Sequence, residues 1–206
     1  MRLRKKPELE KEIEKFTDIV FLHGKIAEDL SKYKSLTLEL GSGKGRFLTN
    51  MGALYEDRFF IGVESQIDIV YYAAVKVREA QVDNVRFLHG NVNDLTNWFG
   101  TGQVDNIYIN FCDPWPKARH AKRRLVARGF LAMYKDILKP NGSLYFKTDN
   151  LDLFNFGLEE FAFCALQVVE QTNDLHNSTV ENLVKTEYEE KFQRLGMPIN
   201  FCQVVF

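Results

Sequence analysis

One carboxylate stands out in the stretch NFCDPWPKARHAKRR, where Asp113 follows an apolar run and precedes Pro114, Trp115 and Pro116. Proline fixes its own backbone φ and disfavours the helical conformation of the residue before it, so this turn presents the Asp113 side chain in a narrow range of directions. We therefore predict a catalytic or binding role for Asp113. A purely structural turn is the alternative, because Asp-Pro is ordinary turn chemistry.

A basic run follows that carboxylate and contains no acidic residue. Its charged members are Lys117, Arg119, His120, Lys122, Arg123 and Arg124. The whole chain has a formal net charge of −1, so attraction to a polyanion has to come from local clusters of this kind. Arginine binds phosphate bidentately, which favours a structured nucleic acid as the partner. A solvated helix face is the alternative, and we favour phosphate binding over it.

A glycine-rich segment, LELGSGKG, indicates a second binding element. Gly41, Gly43 and Gly45 alternate after an apolar run that contains Glu39, and glycine lets backbone N–H groups approach a ligand closely. The nicotinamide-binding fingerprint G-x-G-x-x-G would need glycine at position 46, which is Arg46, so a nicotinamide-dependent oxidoreductase is disfavoured. A tight strand-to-helix connection is the alternative interpretation of the loop.

Two polar side chains follow the next β-rich runs. Glu64 ends FFIGVE, and Asn91 follows VRFLHG. Ligands of open α/β sheets bind in the crevice at the carboxyl ends of the strands. We therefore expect Glu64 to accept hydrogen bonds from the two hydroxyls of a ribose and Asn91 to lie beside an adenine, although asparagine after a strand is also common turn chemistry.

The elements that position these residues alternate between β-rich runs and helical or loop stretches. Such alternation predicts an α/β fold with a parallel sheet wrapped by helices. The five runs are LTLEL, FFIGVE, VRFLHG, NIYINF and SLYFKT. Two further strands, FAFCALQVVEQT and INFCQVVF, are predicted to close the chain and to be able to pair antiparallel at one sheet edge.

Length and composition favour one domain over residues 1–206, since a chain with 45% apolar residues can build one α/β core and has no long linker. Residues 1–6 are expected to form a disordered basic tail and residues 7–34 a helical region.

Three scattered cysteines fit a reducing cytoplasm and lack the spacing of a metal site, so we expect no metal. No apolar run approaches a membrane span, so we expect a cytoplasmic protein with no membrane partner.

Together these features resemble the class I S-adenosylmethionine-dependent methyltransferases. The likeness rests on ELGSGKG, on the acid after the second strand and on the turn LKPNG before the fifth. The class implies a Rossmann-like fold with a seven-stranded, mostly parallel sheet, an antiparallel last strand and helices on both faces. It also implies S-adenosyl-L-methionine as cofactor, with the glycine loop under its methionine portion.

The stretch NFCDPWPKARHAKRR closely resembles the signature of the bacterial tRNA (guanine-N7-)-methyltransferases, and KTDN and TEYE match two further family elements. The family implies methylation of a guanosine at position 46, in the variable loop of tRNA. Cys112 stands where many members have proline. The donor-binding residues implied are Glu39, Gly41, Gly43, Gly45, Glu64, Asn91 and Asp113, the last also catalytic. The substrate-binding residues implied are Lys117, Asp149, Thr186, Glu187, Tyr188 and Glu189, with tRNA against Arg119, His120, Lys122, Arg123 and Arg124.

Guanine N7 carries a lone pair and no proton, so catalysis of its methylation is mostly alignment and electrostatic stabilisation. We expect Asp113 to orient donor and base, and Asp149 or Glu189 to accept hydrogen bonds from the guanine N–H edge. Two alternatives stay open. DPWP has a likeness to the turn of exocyclic-amine methyltransferases, and a catalytically silent RNA-binding module can share the fold. The sequence also leaves open a monomer or a homodimer.

Overall fold

The computed structural model describes residues 7–22, 26, 28–181 and 184–206. The basic tail expected at residues 1–6 lies outside these ranges. The chain divides into two compact units, Met1–Trp98 and Phe99–Phe206, and each has its own set of strands and helices.

The first unit contains four strands and four α-helices within its described residues. They are α1 (Pro7–Glu12), β1 (Val20–Phe21), β2 (Leu36–Leu40), α2 (Arg46–Leu54), β3 (Phe59–Glu64), α3 (Ile67–Ala80), β4 (Val85–His89) and α4 (Leu95–Trp98). Short 3₁₀ helices at Ile13–Phe16, Leu30–Lys32 and Val92–Asp94 complete the unit.

The strands of the first unit lie in the order β1-β4-β3-β2, and all three pairings are parallel. Every residue of β2 is buried, as expected for a parallel strand covered on both faces. The region 7–34 is not wholly helical, because Val20 pairs with Phe87 of β4. The apolar spacing of the region predicted helix throughout. Pro7–Glu12 is helical, but Val20–Phe21 pairs with β4 and so belongs to the sheet.

The second unit contains the remaining elements. They are β5 (Val104–Asn110), a 3₁₀ helix (Ala118–Arg123), α5 (Arg128–Ile137), β6 (Leu138–Thr148), α6 (Leu151–Phe163), β7 (Gln167–Thr172), a 3₁₀ helix (Leu175–Asn177), α7 (Glu187–Arg194) and β8 (Asn200–Val205).

The strands of the second unit lie in the order β5-β6-β8-β7. The β5–β6 pairing is parallel, whereas β8 is antiparallel to both β6 and β7. The expected α/β fold with a mostly parallel sheet and an antiparallel last strand is therefore confirmed. Eight strands are described instead of seven, and the additional one is the two-residue β1. No described helix is long and apolar enough to cross a membrane.

The segment FAFCALQVVEQT is only partly a strand. Its first residues end helix α6, whose buried residues Leu153, Phe154, Gly157 and Phe161 recur at helical spacing. Asn150 begins this helix by accepting a hydrogen bond from the backbone N–H of Leu153 at 2.8 Å. The prediction of a strand over the whole segment was wrong, since the buried stripe of α6 that includes Phe161 starts eight residues upstream, at Leu153.

Candidate active site

The glycine loop, residues 41–45, connects β2 to α2 in the first unit. Gly41, Gly43 and Gly45 all have positive φ, at 76°, 54° and 72°. This left-handed region is unfavourable for residues with a Cβ, so the three glycines allow the sharp path of the loop. The backbone N–H groups of Gly41 and Ser42 both point to the carbonyl of Val63 in β3, at 2.9 and 3.2 Å.

The three glycines differ in what surrounds them. A Cβ on Gly45 would lie 2.5 Å from the ring of Phe87 and 2.9 Å from Ala73, whereas a Cβ on Gly41 or Gly43 would meet nothing within 4 Å. Gly45 therefore permits close packing of the loop and α2 against the core. Gly41 and Gly43 face open space, which is the arrangement needed for a ligand to approach the backbone.

Glu64 and Asn91 both lie at the ends of strands in this unit and both shape the local backbone. The Glu64 carboxylate accepts hydrogen bonds from the backbone N–H groups of Ser65 at 2.8 Å and Gly43 at 3.3 Å. Asn91 begins a 3₁₀ helix, and its Oδ1 accepts from the backbone N–H of Asn93 at 3.0 Å. The Asn91 oxygen is thus used in the turn, which leaves its amide N–H groups as the atoms that suit a ring nitrogen.

Two buried polar residues are Ser42, within the glycine loop, and Glu39, in the strand before it. Glu39 lies inside β2 and is 3% exposed. The Ser42 hydroxyl is buried and has no hydrogen-bond partner among the described residues. Buried polar groups are nearly always hydrogen-bonded in folded proteins, so this hydroxyl marks a place where a polar ligand can be received.

In the second unit, Asp113 is the exposed carboxylate of a turn formed by residues 111–115, which we call the Asp113 turn. Phe111 and Trp115 have positive φ, at 53° and 43°, in a region that costs about 1–2 kcal/mol for a residue other than glycine. The backbone N–H of Phe111 donates to the carbonyl of Lys147 at 2.9 Å. Unfavourable backbone conformations of this kind are maintained by surrounding contacts and cluster at functional sites.

Arg124 contacts the same turn from its carboxyl-terminal side. Its Nε donates to the carbonyl of Pro114 and its Nη2 to the carbonyl of Trp115, both at 3.1 Å. Its guanidinium also lies 4.3 Å from the centroid of the Phe156 ring in α6. Of the basic residues expected to bind tRNA, Arg124 is thus engaged within the protein.

The other cations of the run project outward. Lys117, Arg119, Lys122 and Arg123 are exposed. His120 is half-buried and packs edge-on against Trp115, with 5.6 Å between ring centroids. Arg123 lies 5.0 Å from the same indole. We call Arg119, His120, Lys122, Arg123 and Arg124 the basic segment.

The segment Thr186–Glu189 begins helix α7 with a capping box, in which the Thr186 hydroxyl accepts from the backbone N–H of Glu189 at 2.9 Å. Glu189 is 0% exposed and forms an ion pair with the buried Lys147 at 3.1 Å. Its carboxylate therefore points into the protein. Glu187 and Tyr188 are exposed on the opposite side of this turn.

Exposed groups also surround the end of β6. Asp149 directly follows this strand and is exposed, whereas the preceding Thr148 and Lys147 are buried. The Tyr188 ring lies 5.2 Å from that of Phe111 and 4.9 Å from that of Phe192. The ends of β5 and β6 and the start of α7 thus meet within this unit, which brings the Asp113 turn near Tyr188.

Cys112 occupies the position before Asp113 as a partly buried thiol. Burial, followed by the negative charge of Asp113, raises the pKa of Cys112 to about 12. The thiol is therefore protonated at neutral pH and a poor nucleophile. No group of three or more His, Cys, Asp or Glu side chains arranged to hold a metal ion occurs in the described part of the chain.

Sequence reasoning did not find Lys147, Phe111 or Ser42, nor the engagement of Arg124 with the turn. A signal was present for Lys147, because it interrupts the apolar strand SLYFKT. A lysine at a buried strand position needs a buried anion, and Glu189 in TEYE was an available candidate. The positive φ of Phe111 has no signal in the sequence.

The sequence of the chain is similar to those of known methyltransferases. Residues 33–202 match the family described as "Putative methyltransferase". A protein of Halalkalibacterium halodurans named tRNA (guanine-N(7)-)-methyltransferase is 40% identical over 211 residues, covering 100% of this chain and 96% of the relative. A protein of the same name from Streptococcus suis is 43% identical over 183 residues, covering 89% of this chain and 86% of the relative.

Solved structures support the same fold. An antibiotic-related methyltransferase is similar with a TM-score of 0.64 and 16% identity, covering 100% of this chain and 96% of that one. A SAM-dependent methyltransferase from Aquifex aeolicus gives a TM-score of 0.59 and 17% identity, covering 96% and 89% of the two chains. At these identities the similarity concerns the fold, which is that of the class I methyltransferases.

Proposed function

The chain belongs to the tRNA (guanine-N(7)-)-methyltransferase family, and from this we propose that its target is the guanosine at position 46 in the tRNA variable loop. It is an S-adenosylmethionine-dependent enzyme that methylates N7 of guanosine in tRNA. We further propose that residues 1–206 act as one methyltransferase domain in the cytoplasm, since the family match at residues 33–202 includes parts of both compact units.

The residues of the first unit fit the methyl donor. Gly41 and Gly43 face open space where a Cβ would meet nothing, and the Ser42 hydroxyl lacks a partner among the described residues. A polar, zwitterionic ligand with a ribose suits such a surface. The donor-binding residues proposed within this unit are then Glu39, Gly41, Gly43, Gly45, Glu64 and Asn91.

Glu64 and Asn91 each have a chemically defined task in this proposal. The Glu64 Oε1 accepts from the backbone N–H groups of Ser65 and Gln66, whereas Oε2 accepts, among the described residues, only from Gly43, so Oε2 has a lone pair for a ribose hydroxyl. The Asn91 amide donates to a ring nitrogen of adenine, because its oxygen is engaged with Asn93. The bound donor supplies an electrophilic methyl group on a sulfonium ion.

Asp113 is the residue to which we assign the catalytic role. It is exposed in the turn that follows β5, and the Asp113 turn restricts the directions available to its carboxylate. Guanine N7 needs no base because it carries no proton, and the ring becomes positively charged as the methyl group arrives. A fixed carboxylate near that ring stabilises the developing charge and orients the two reactants.

Asp149 is the carboxylate that accepts hydrogen bonds from the guanine N–H edge. The choice between Asp149 and Glu189 follows from burial, since Asp149 is exposed whereas Glu189 is buried in an ion pair with Lys147. Within the substrate-binding segment, Thr186 and Glu189 set the conformation of α7. Glu187 and Tyr188 face outward, and the Tyr188 ring offers the base an aromatic face.

Lys117 and four members of the basic segment, Arg119, His120, Lys122 and Arg123, bind the tRNA backbone. Four exposed cations at Lys117, Arg119, Lys122 and Arg123 next to the Asp113 turn support this assignment. Such a surface can be presented by a monomer or by a homodimer.

The observation that carries the proposal is the exposed Asp113 followed directly by these exposed cations. The test is to incubate the protein with unmodified tRNA and methyl-labelled S-adenosylmethionine, digest the tRNA and identify the labelled nucleoside. We expect 7-methylguanosine, and its loss when the variable-loop guanosine is replaced by adenosine. Label in N6-methyladenosine would indicate an exocyclic-amine methyltransferase, and tRNA binding without label would indicate an RNA-binding module.

A further inference from the structure

We propose that Arg124 is a positioning residue for the catalytic carboxylate and does not bind tRNA phosphate. This inference rests on the proposed role of Asp113. It separates Arg124 from Arg119, Lys122 and Arg123, which carry the same charge and lie in the same basic segment.

The first support is the hydrogen bonding of the guanidinium. Arg124 donates through Nε to the Pro114 carbonyl and through Nη2 to the Trp115 carbonyl, each at 3.1 Å. Two donors held in the fixed plane of one guanidinium specify the relative position of two successive carbonyl groups. These carbonyls belong to the residues directly after Asp113, so the guanidinium fixes the backbone that carries the carboxylate.

The second support is the backbone strain in the turn. Trp115 has a φ of 43°, and the turn contains no glycine that would adopt this conformation without cost. Pro114 and Pro116 fix their own φ angles but supply no N–H groups to hold the turn. The two hydrogen bonds from Arg124 are therefore contacts that stabilise an otherwise unfavourable conformation.

The third support is the contact of the half-buried Arg124 with a neighbouring helix. Arg124 is half-buried, and its guanidinium lies 4.3 Å from the Phe156 ring of α6. This contact anchors the guanidinium to a helix of the same unit. Arg119 provides the contrast, because it is exposed and its side chain makes no hydrogen bond, ion pair or ring contact in the part of the chain that the structure describes.

The experiment compares Arg124→Lys and Arg124→Met with Arg119→Met. For each protein, kcat is measured at saturating tRNA and donor, and tRNA binding is titrated at several salt concentrations without donor. We expect both Arg124 variants to lose kcat by about 10- to 100-fold, because a small displacement of a reacting group has effects of this size. Lysine keeps the charge but lacks the planar pair of donors, so it should not rescue kcat.

The salt dependence separates positioning from phosphate binding. Arg124→Met should retain the wild-type slope of log K against log salt, whereas Arg119→Met should flatten it by about 0.7–0.9. Wild-type kcat in Arg124→Lys, or a flattened slope in Arg124→Met, would overturn the inference. If Arg124→Met does not fold, Arg124→Lys alone decides through kcat. Absence of 7-methylguanosine with the wild-type protein would instead refute the proposed function.

Discussion

The glycine loop of the first unit and the Asp113 turn of the second both contain residues with positive φ, but the residue types at those positions differ. Each follows the carboxyl end of a strand, and each needs backbone with positive φ. The loop uses glycines at its three positive-φ positions, whereas the turn uses Phe111 and Trp115. Glycine takes this conformation without a steric penalty, but for the other residues it costs about 1–2 kcal/mol each.

The contacts that hold the two segments differ accordingly. In the loop, the Glu64 carboxylate accepts a hydrogen bond from Gly43, and Gly45 packs against the core. In the turn, Phe111 donates its N–H to Lys147 and packs its ring against a buried cluster formed by Leu175, Phe192, Ile199 and Phe201. A loop can thus be specified by local residue type, whereas a turn of bulky residues has to be maintained by distant parts of the chain.

The largest expected effect comes from removing the functional group that the turn presents. Asp113→Ala should lower kcat by about 1000-fold at saturating donor, because the charge-stabilising carboxylate is lost. The comparison is single-turnover methylation of tRNA by the two proteins. Circular dichroism checks that the variant is folded, and tRNA titration checks that it still binds tRNA. Turnover near the wild-type value would mean that Asp113 is only a structural turn residue.

The next prediction divides the glycine loop itself. Gly45→Ala should lower the free energy of unfolding by about 3 kcal/mol, because its Cβ would overlap Phe87 in addition to the strain of positive φ. Gly43→Ala, the matched control, should cost only about 1–2 kcal/mol, since nothing lies near its Cβ. Urea denaturation of both variants measures the difference, and equal losses would contradict distinct roles for the two glycines.

The loop can also be weakened through the side chain that contacts it. Glu64→Ala should reduce S-adenosylmethionine affinity by about 1–3 kcal/mol, since the ribose hydroxyls lose an acceptor and Gly43 loses its hydrogen bond. Calorimetric titration with the donor measures this loss. Glu56→Ala, at an exposed position after α2, is a control for removing an acid from the same unit. Unchanged donor affinity in a folded Glu64→Ala protein would remove Glu64 from the binding site.

The smallest expected effect tests the strain in the turn. Phe111→Gly and Phe111→Ala both remove the ring that packs against the buried cluster, but only glycine accepts a φ of 53° without steric cost. The relief of strain favours the glycine variant, whereas the larger chain entropy that glycine loses on folding partly offsets it. The glycine variant should therefore be more stable than the alanine variant by about 0.5–1 kcal/mol. Thermal denaturation compares the two. A more stable alanine variant would mean that the turn relaxes when Phe111 is replaced.

Much of the fold was predictable because short-range patterns specify it. The runs LTLEL and FFIGVE coincide with β2 and β3, since short β-rich runs of five or six residues are typical of strands. The glycine spacing predicted a strand-to-helix loop for a similarly local reason. The boundary between α6 and β7 was not predictable from the residues around it, because Phe161 suits a strand and a helix equally. Phe161 is helical because it belongs to the helix that begins after the cap at Asn150.

The sequence by itself determined which residue types stand at the strand ends, including Glu64, Asp113 and Asp149, because strand, turn and acid are encoded within a few consecutive residues. Only the tertiary structure decided which neighbouring charges face outward. Glu189 turns inward to Lys147, and Arg124 turns back to the Asp113 turn, while Arg119 remains exposed. Charged side chains that look alike in the sequence therefore point inward or outward according to the packing around them. A buried charge requires a partner, and other elements of the fold supply that partner.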